Sequence, residues 1–114
     1  MTQYQGDDFY CDVAIPRREP IEVAFEDGDV LAFHHTRPFW PVHVVVVPKV
    51  HVDSLLTLAD TGLASRLLAV VQSVAADVVA RHGKASVMTN LGAYQDSKHL
   101  HVHVHAGQPL SSAV

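Results

Sequence analysis

The chain has 114 residues, of which 48% are hydrophobic and 18% charged, enough for one hydrophobic core without staples. A formal net charge of -4 argues against a general nucleic-acid surface, which would be basic. The single cysteine, Cys11, excludes internal disulfides and a multi-cysteine zinc site. No apolar run approaches the roughly 20 residues that a membrane helix needs. The opening residues Met1 to Asp8 lack the basic and apolar regions of a signal peptide. The expectation is one cytoplasmic domain over residues 1–114, with a core of about 9–108 and no membrane partner.

Ile21 to Phe25 and Val30 to Phe33 alternate as strands do, and the Asp27-Gly28 pair between them predicts a hairpin. Two prolines, Pro38 and Pro41, forbid regular pairing in the next stretch. Val42 to Val47 is then a near-continuous apolar run of the kind found in a central strand, ended by Pro48 and Lys49. Asp53 and Ser54 are candidate caps for a short turn holding Leu55, Leu56 and Leu58. From Asp60 or Thr61 to His82 the period becomes helical. Leu63, Leu67, Val70, Val71, Val74, Val78 and Val79 form its predicted buried stripe. Arg81 and His82 suit the negative end of the helix, and Gly83 its C-terminal cap. Ala85 to Asn90 reads as a further strand, and the small, polar tail from Pro109 to Val114 as frayed. The fold class predicted is α+β: an antiparallel sheet of about five strands with one long and one short helix.

The most informative segment follows: His99-Leu100-His101-Val102-His103-Val104-His105. On a strand the four imidazoles share one face and the aliphatic residues the other. A half-buried strand with an incidental histidine face is the plainest reading. A metal site is a second. Histidines at i and i+4 sit roughly 13 Å apart at their backbones, so neighbours at i and i+2 would need a third ligand from elsewhere. Phosphoryl chemistry is the third: one imidazole attacks phosphorus while its neighbours hold the anion. Lys49, Lys84 and Lys98, near candidate strand ends, are available to attract that anion.

The run resembles the signature of the histidine-triad nucleotide-binding family, His-x-His-x-His-x-x with x apolar. Val30 to Phe33, the turn from Pro38 to His43, Val47-Pro48-Lys49-Val50-His51 and Asn90-x-Gly92 recur at the family's spacing, so the resemblance covers roughly residues 9–108. It implies a homodimeric nucleotide-binding hydrolase or transferase acting at the α-phosphate of nucleoside phosphoramidates or related esters and anhydrides, without a cofactor. His101 would be the nucleophile that forms a nucleotidyl-histidine intermediate. His103 would contact the phosphate, and His99 and His43 would support the triad. Asn90, Gln95, Asp96 and Ser97 align with the phosphate and leaving-group loop, and Phe33, His35 and Thr36 with the ribose and base site. A dinucleoside polyphosphate hydrolase or phosphorylase, or a nucleotide-binding module without turnover, are the alternatives.

Three departures stand out. The family commonly has an acidic residue on the ribose hydroxyls where this chain has His35. The loop from Asn90 to Gln95 is about two residues shorter than in the purine-nucleoside phosphoramidase branch, and Asp96 stands where that branch has serine. Many bacterial members carry a zinc-binding Cys-x-x-Cys near the start, whereas here Asp8 precedes Cys11. The set Asp8, Cys11, His51 and His99 is a conceivable mixed tetrahedral site; no metal is expected in the chemistry itself.

Overall fold

The computed structural model describes residues 6–110; positions 111–114 of the predicted frayed tail lie outside them. Five strands form one antiparallel sheet in the order β1-β2-β3-β5-β4. They run Glu22–Glu26 (β1), Val30–His34 (β2), Val42–Pro48 (β3), Ser86–Met88 (β4) and Val102–Ala106 (β5). Among the described residues one α-helix, α1, spans Thr61–His82. Asp60 caps it by accepting from the Leu63 N–H at 2.9 Å, and Gly83 ends it at φ 81°, a left-handed conformation that glycine adopts without a steric cost. A 3₁₀ turn at Leu55–Thr57 carries a reciprocal Ser54/Thr57 capping box. A π-helical turn at Tyr10–Ala14 and a 3₁₀ turn at Gly92–Tyr94 complete the described elements.

The sheet separates two apolar clusters. On one face Val44, Val46, Leu100, Val102 and Val104 pack against Leu67, Val70, Val71, Val74 and Val78 of α1. On the other, Leu31, Phe33, Val45 and Val47 pack against Tyr10 and Ala14. Strand β3 is therefore buried on both sides, which explains its unbroken run of valines. Burying a side chain of this size contributes about 1.5–3 kcal/mol. Helix α1 has the length and mean hydropathy, 1.6, of a membrane span, but its buried stripe is spent on the sheet.

Several expectations need correcting. Val79 lies past the edge of the helix stripe and is 47% exposed. Strand β1 is exposed along its whole length, as an edge strand with a register shift between Val23 and Phe25. Its hairpin does not rest on Gly28, which has no positive φ. The Asp27 carboxylate instead accepts from the Asp29 and Val30 N–H groups, each at 2.8 Å, and closes the turn. Finally, the histidine run is only partly strand. Ladder pairing begins at Val102; His99 lies in a bend, and Leu100 and His101 do not pair with β3.

Candidate functional site

Imidazoles gather on the sheet face opposite α1. His43 on β3 lies directly across from His105, and Val45 across from His103. The alternation of β5 buries Val102 and Val104 under the helix and turns His101, His103 and His105 to the other side. There a cavity of about 580 Å³ opens, lined by His101 and His103 together with Tyr10, Phe33, His35, Asn90, Asp96 and Ser97, among others. This volume suits a ligand of nucleotide size.

The hydrogen bonds assign the state of each ring. The Phe39 N–H donates to His43 Nδ1 at 3.1 Å, so Nε2 carries the His43 proton and donates to His103 Nδ1 at 2.8 Å. His103 then keeps its own N–H on Nε2, free to meet an acceptor in the cavity. His101 Nδ1–H donates to the His99 carbonyl at 2.7 Å, leaving Nε2 with a lone pair. That carbonyl is two residues upstream, in the stretch that does not pair with β3. The neighbouring His101 carbonyl accepts from the Thr89 hydroxyl at 2.7 Å.

Burial keeps these rings neutral. It pushes His43 down to about 3 and His103 to about 4, and the surrounding imidazoles add to the effect. His101 is lowered as well, first by burial, with Asp96 and Asp8 pulling the other way. Rings pack around them: Tyr10 lies 4.9 Å from His101, His35 stacks on His43 at 4.3 Å, and Trp40 stacks on His105 at 3.6 Å.

Of the residues expected at the site, Asn90, Asp96, Ser97, Phe33, His35, Thr36, His101 and His103 line the cavity. His43 stands behind His103 and reaches the cavity through it. Gln95 does not join the lining; it is buried and donates to the Asp53 carbonyl at 2.7 Å, pinning one loop to another. The expected lysines are elsewhere. Lys49 pairs with Glu26 at 2.7 Å, Lys98 donates to the Gln95 carbonyl, and the cation on the cavity wall is Arg37. Tyr10, Phe9 and Trp40 escaped the sequence reading. Tyr10 opens a π-helical turn with no simple periodic signal, Phe9 is the residue before it, and Trp40 comes from an irregular segment between prolines.

His99 faces a different way. It is fully buried, and its Nε2–H donates to the Pro48 carbonyl at 2.8 Å. Its Nδ1 lies 3.2 Å from Asp8 Oδ2 and 3.3 Å from Cys11 Sγ. His51 Nδ1 sits 2.6 Å from the same Asp8 oxygen, and the four ligand atoms lie within 4.8 Å of one another. One thiol, two imidazole nitrogens and a carboxylate make a donor set suited to zinc. The Pro48 carbonyl on His99 and Asp53 on His51, at 2.6 Å, orient the rings as outer partners of a metal do. The residues fit the ion that the resemblance implies, with aspartate in place of one cysteine.

Comparison with known proteins identifies the family and the fold. The HIT domain family matches residues 17–110. The chain is 31% identical over 98 residues to Protein HitA of Neisseria gonorrhoeae, covering 83% of this chain and 91% of that one. A histidine triad protein from Clostridium difficile superposes with a TM-score of 0.76 at 31% identity, covering 98% of this chain and all of the other. A hypothetical histidine triad nucleotide-binding protein from Sulfolobus tokodaii gives 0.75 at 26% identity, over 92% and 70% of the two chains. The chain thus belongs to the histidine-triad (HIT) family.

Proposed function

We propose that the protein hydrolyses or transfers a nucleotidyl group at the α-phosphate of nucleoside phosphoramidates or related nucleotidyl esters and anhydrides, with His101 as the nucleophile. The observation that carries this reading is the 2.7 Å bond from His101 Nδ1–H to the His99 carbonyl, which leaves an unprotonated Nε2 on a ring at the cavity wall. In the first step Nε2 attacks phosphorus. A nitrogen–phosphorus bond forms as the bond to the leaving nitrogen or oxygen breaks, and that group departs with the electron pair, a leaving nitrogen taking up a proton from solvent as it goes. Positive charge develops on the ring, and the His99 carbonyl meets it at Nδ1–H. Negative charge on the phosphoryl oxygens is met by His103 Nε2–H, whose direction is fixed by His43. Water then attacks phosphorus, the nitrogen–phosphorus bond breaks, and the neutral ring returns with release of a nucleoside monophosphate and a proton.

Around these rings Asn90, Asp96 and Ser97 supply polar groups for the phosphoryl and leaving group, while Phe9, Tyr10 and Phe33 supply an apolar wall for a base. Zinc, where bound, would be held by Asp8, Cys11, His51 and His99 and would supply structural cross-linking rather than reaction chemistry. Those four residues join the N-terminal segment to the start of the histidine run.

The test is release of AMP from adenosine 5′-phosphoramidate by the wild type and by His101→Ala. Release should fall roughly a thousandfold or more in the variant. Equal rates would refute the assignment of His101. Tight AMP binding without release would make the protein a binding module. Preference for a diadenosine polyphosphate would move the substrate class.

A further inference from the structure

One corner of the cavity wall, His35-Thr36-Arg37, presents donors in succession. The His35 ring accepts the Arg37 backbone N–H on Nδ1 at 2.9 Å, so its proton is on Nε2. The ring is neutral at ordinary pH, since burial lowers it to about 4, and the charges that act on it are those of His101 and Arg37, with no carboxylate among them. It therefore offers a single N–H donor without depending on protonation. Arg17, Arg66 and Arg81 each pair with a carboxylate, whereas the Arg37 guanidinium pairs with none among the described residues. The carboxylates lining the cavity, Asp7, Glu19 and Asp96, come from other segments.

The corner also has a defined place relative to the phosphoryl site. The His35 ring centre is 4.3 Å from that of His43 and 6.1 Å from that of His103. A nucleotide with its 5′-phosphate on His101 and His103 would thus bring its sugar, the next group along, within reach of residues 35–37. An imidazole N–H, a hydroxyl and a guanidinium together match the oxygens of a phosphate better than a pair of sugar hydroxyls, which also need acceptors. The same logic holds in dinucleotide-binding folds, where an acidic residue grips free ribose hydroxyls and an arginine accommodates a ribose phosphate.

From this placement we infer that the His35-Thr36-Arg37 corner binds a second phosphate carried on the sugar, so that the preferred nucleotides are phosphorylated at the 2′ or 3′ position as well as at 5′. The inference rests on the nucleotide reading of the cavity, and one set of measurements separates the two. Calorimetry on the wild type would compare AMP, adenosine 2′,5′-bisphosphate, adenosine 3′,5′-bisphosphate and ADP at fixed salt. One of the two sugar bisphosphates should bind about tenfold or more tightly than AMP, as expected for charge-assisted hydrogen bonds. Which of them does so assigns the position. Arg37→Gln should lower the ratio of bisphosphate to AMP affinity, and His35→Asp should invert it in favour of AMP. Equal affinity for AMP and both sugar bisphosphates would overturn the inference while leaving the nucleotide site intact. A gain for ADP alone would also overturn it, by placing Arg37 on the leaving-group side. Failure of all four to bind would refute both readings.

Discussion

Acid should destabilise this protein through individual buried rings. His43 and His103 are 3% and 6% exposed, and their imidazoles are lowered from 6.5 to about 3 and about 4. In the unfolded chain both protonate near 6.5. Between those values the unfolded chain holds protons that the folded protein does not, so stability falls as pH falls, and the loss levels off only below the folded-state values. At pH 5, each ring should have withdrawn about 2 kcal/mol, since a pKa unit is worth about 1.36 kcal/mol. That is a large share of an ordinary domain stability of about 5–15 kcal/mol. Urea denaturation of chelator-treated protein at pH 7.5 and pH 5 would measure it. In His43→Gln the loss between the two pH values should be smaller by about 2 kcal/mol, whatever the variant's stability at pH 7.5. His51, raised by its hydrogen bonds to Asp53 and Asp8, contributes in the opposite sense: its stabilisation is present in acid and fades as pH rises. It does so in both proteins and cancels in the comparison. An identical pH dependence in wild type and variant would refute the reasoning.

The second cluster should bind about one zinc ion per chain; elemental analysis after zinc loading and dialysis should show that content lost in Cys11→Ser, and equal content in both proteins would remove the site. Leu100→Ala, at a side chain 1% exposed between sheet and helix, should cost about 2–5 kcal/mol in urea denaturation. Gly107→Ala should lower the thermal midpoint, because φ there is 96° and an added Cβ would meet Pro41 Cγ at 2.9 Å; an unchanged midpoint would show that this turn relaxes freely.

Helix α1 and the central strand were legible because each is governed by a short-range rule. Seven apolar residues at helical spacing, an Asp60 cap and Gly83 leave little choice for residues 61–82, and Val42 to Val47 suits only a strand buried twice. The histidine face was legible for the same reason for His101, His103 and His105, but not for His99, which lies outside the ladder and turns to Asp8 and Cys11. What could not be read were relations between distant segments. Nothing local says that Tyr10 lies against His101, that Gln95 leaves the cavity to hold Asp53, or that β1 is an exposed edge. Tautomers were equally hidden, because the proton on His103 is set by the Phe39 N–H acting through His43.

The position of β5 has a kinetic consequence. It follows α1 and β4 in the chain yet inserts between β3 and β4, so His43 and His103 meet across 60 positions of sequence. Contacts of that separation form slowly. Strands β1 to β3 join through neighbouring hairpins and can assemble earlier, but until β5 docks, the valine-rich β3 keeps a bare edge open to any passing strand. A chain halted at that stage is adhesive and lacks the assembled histidine site. That site and protection from aggregation arrive together, with the same strand.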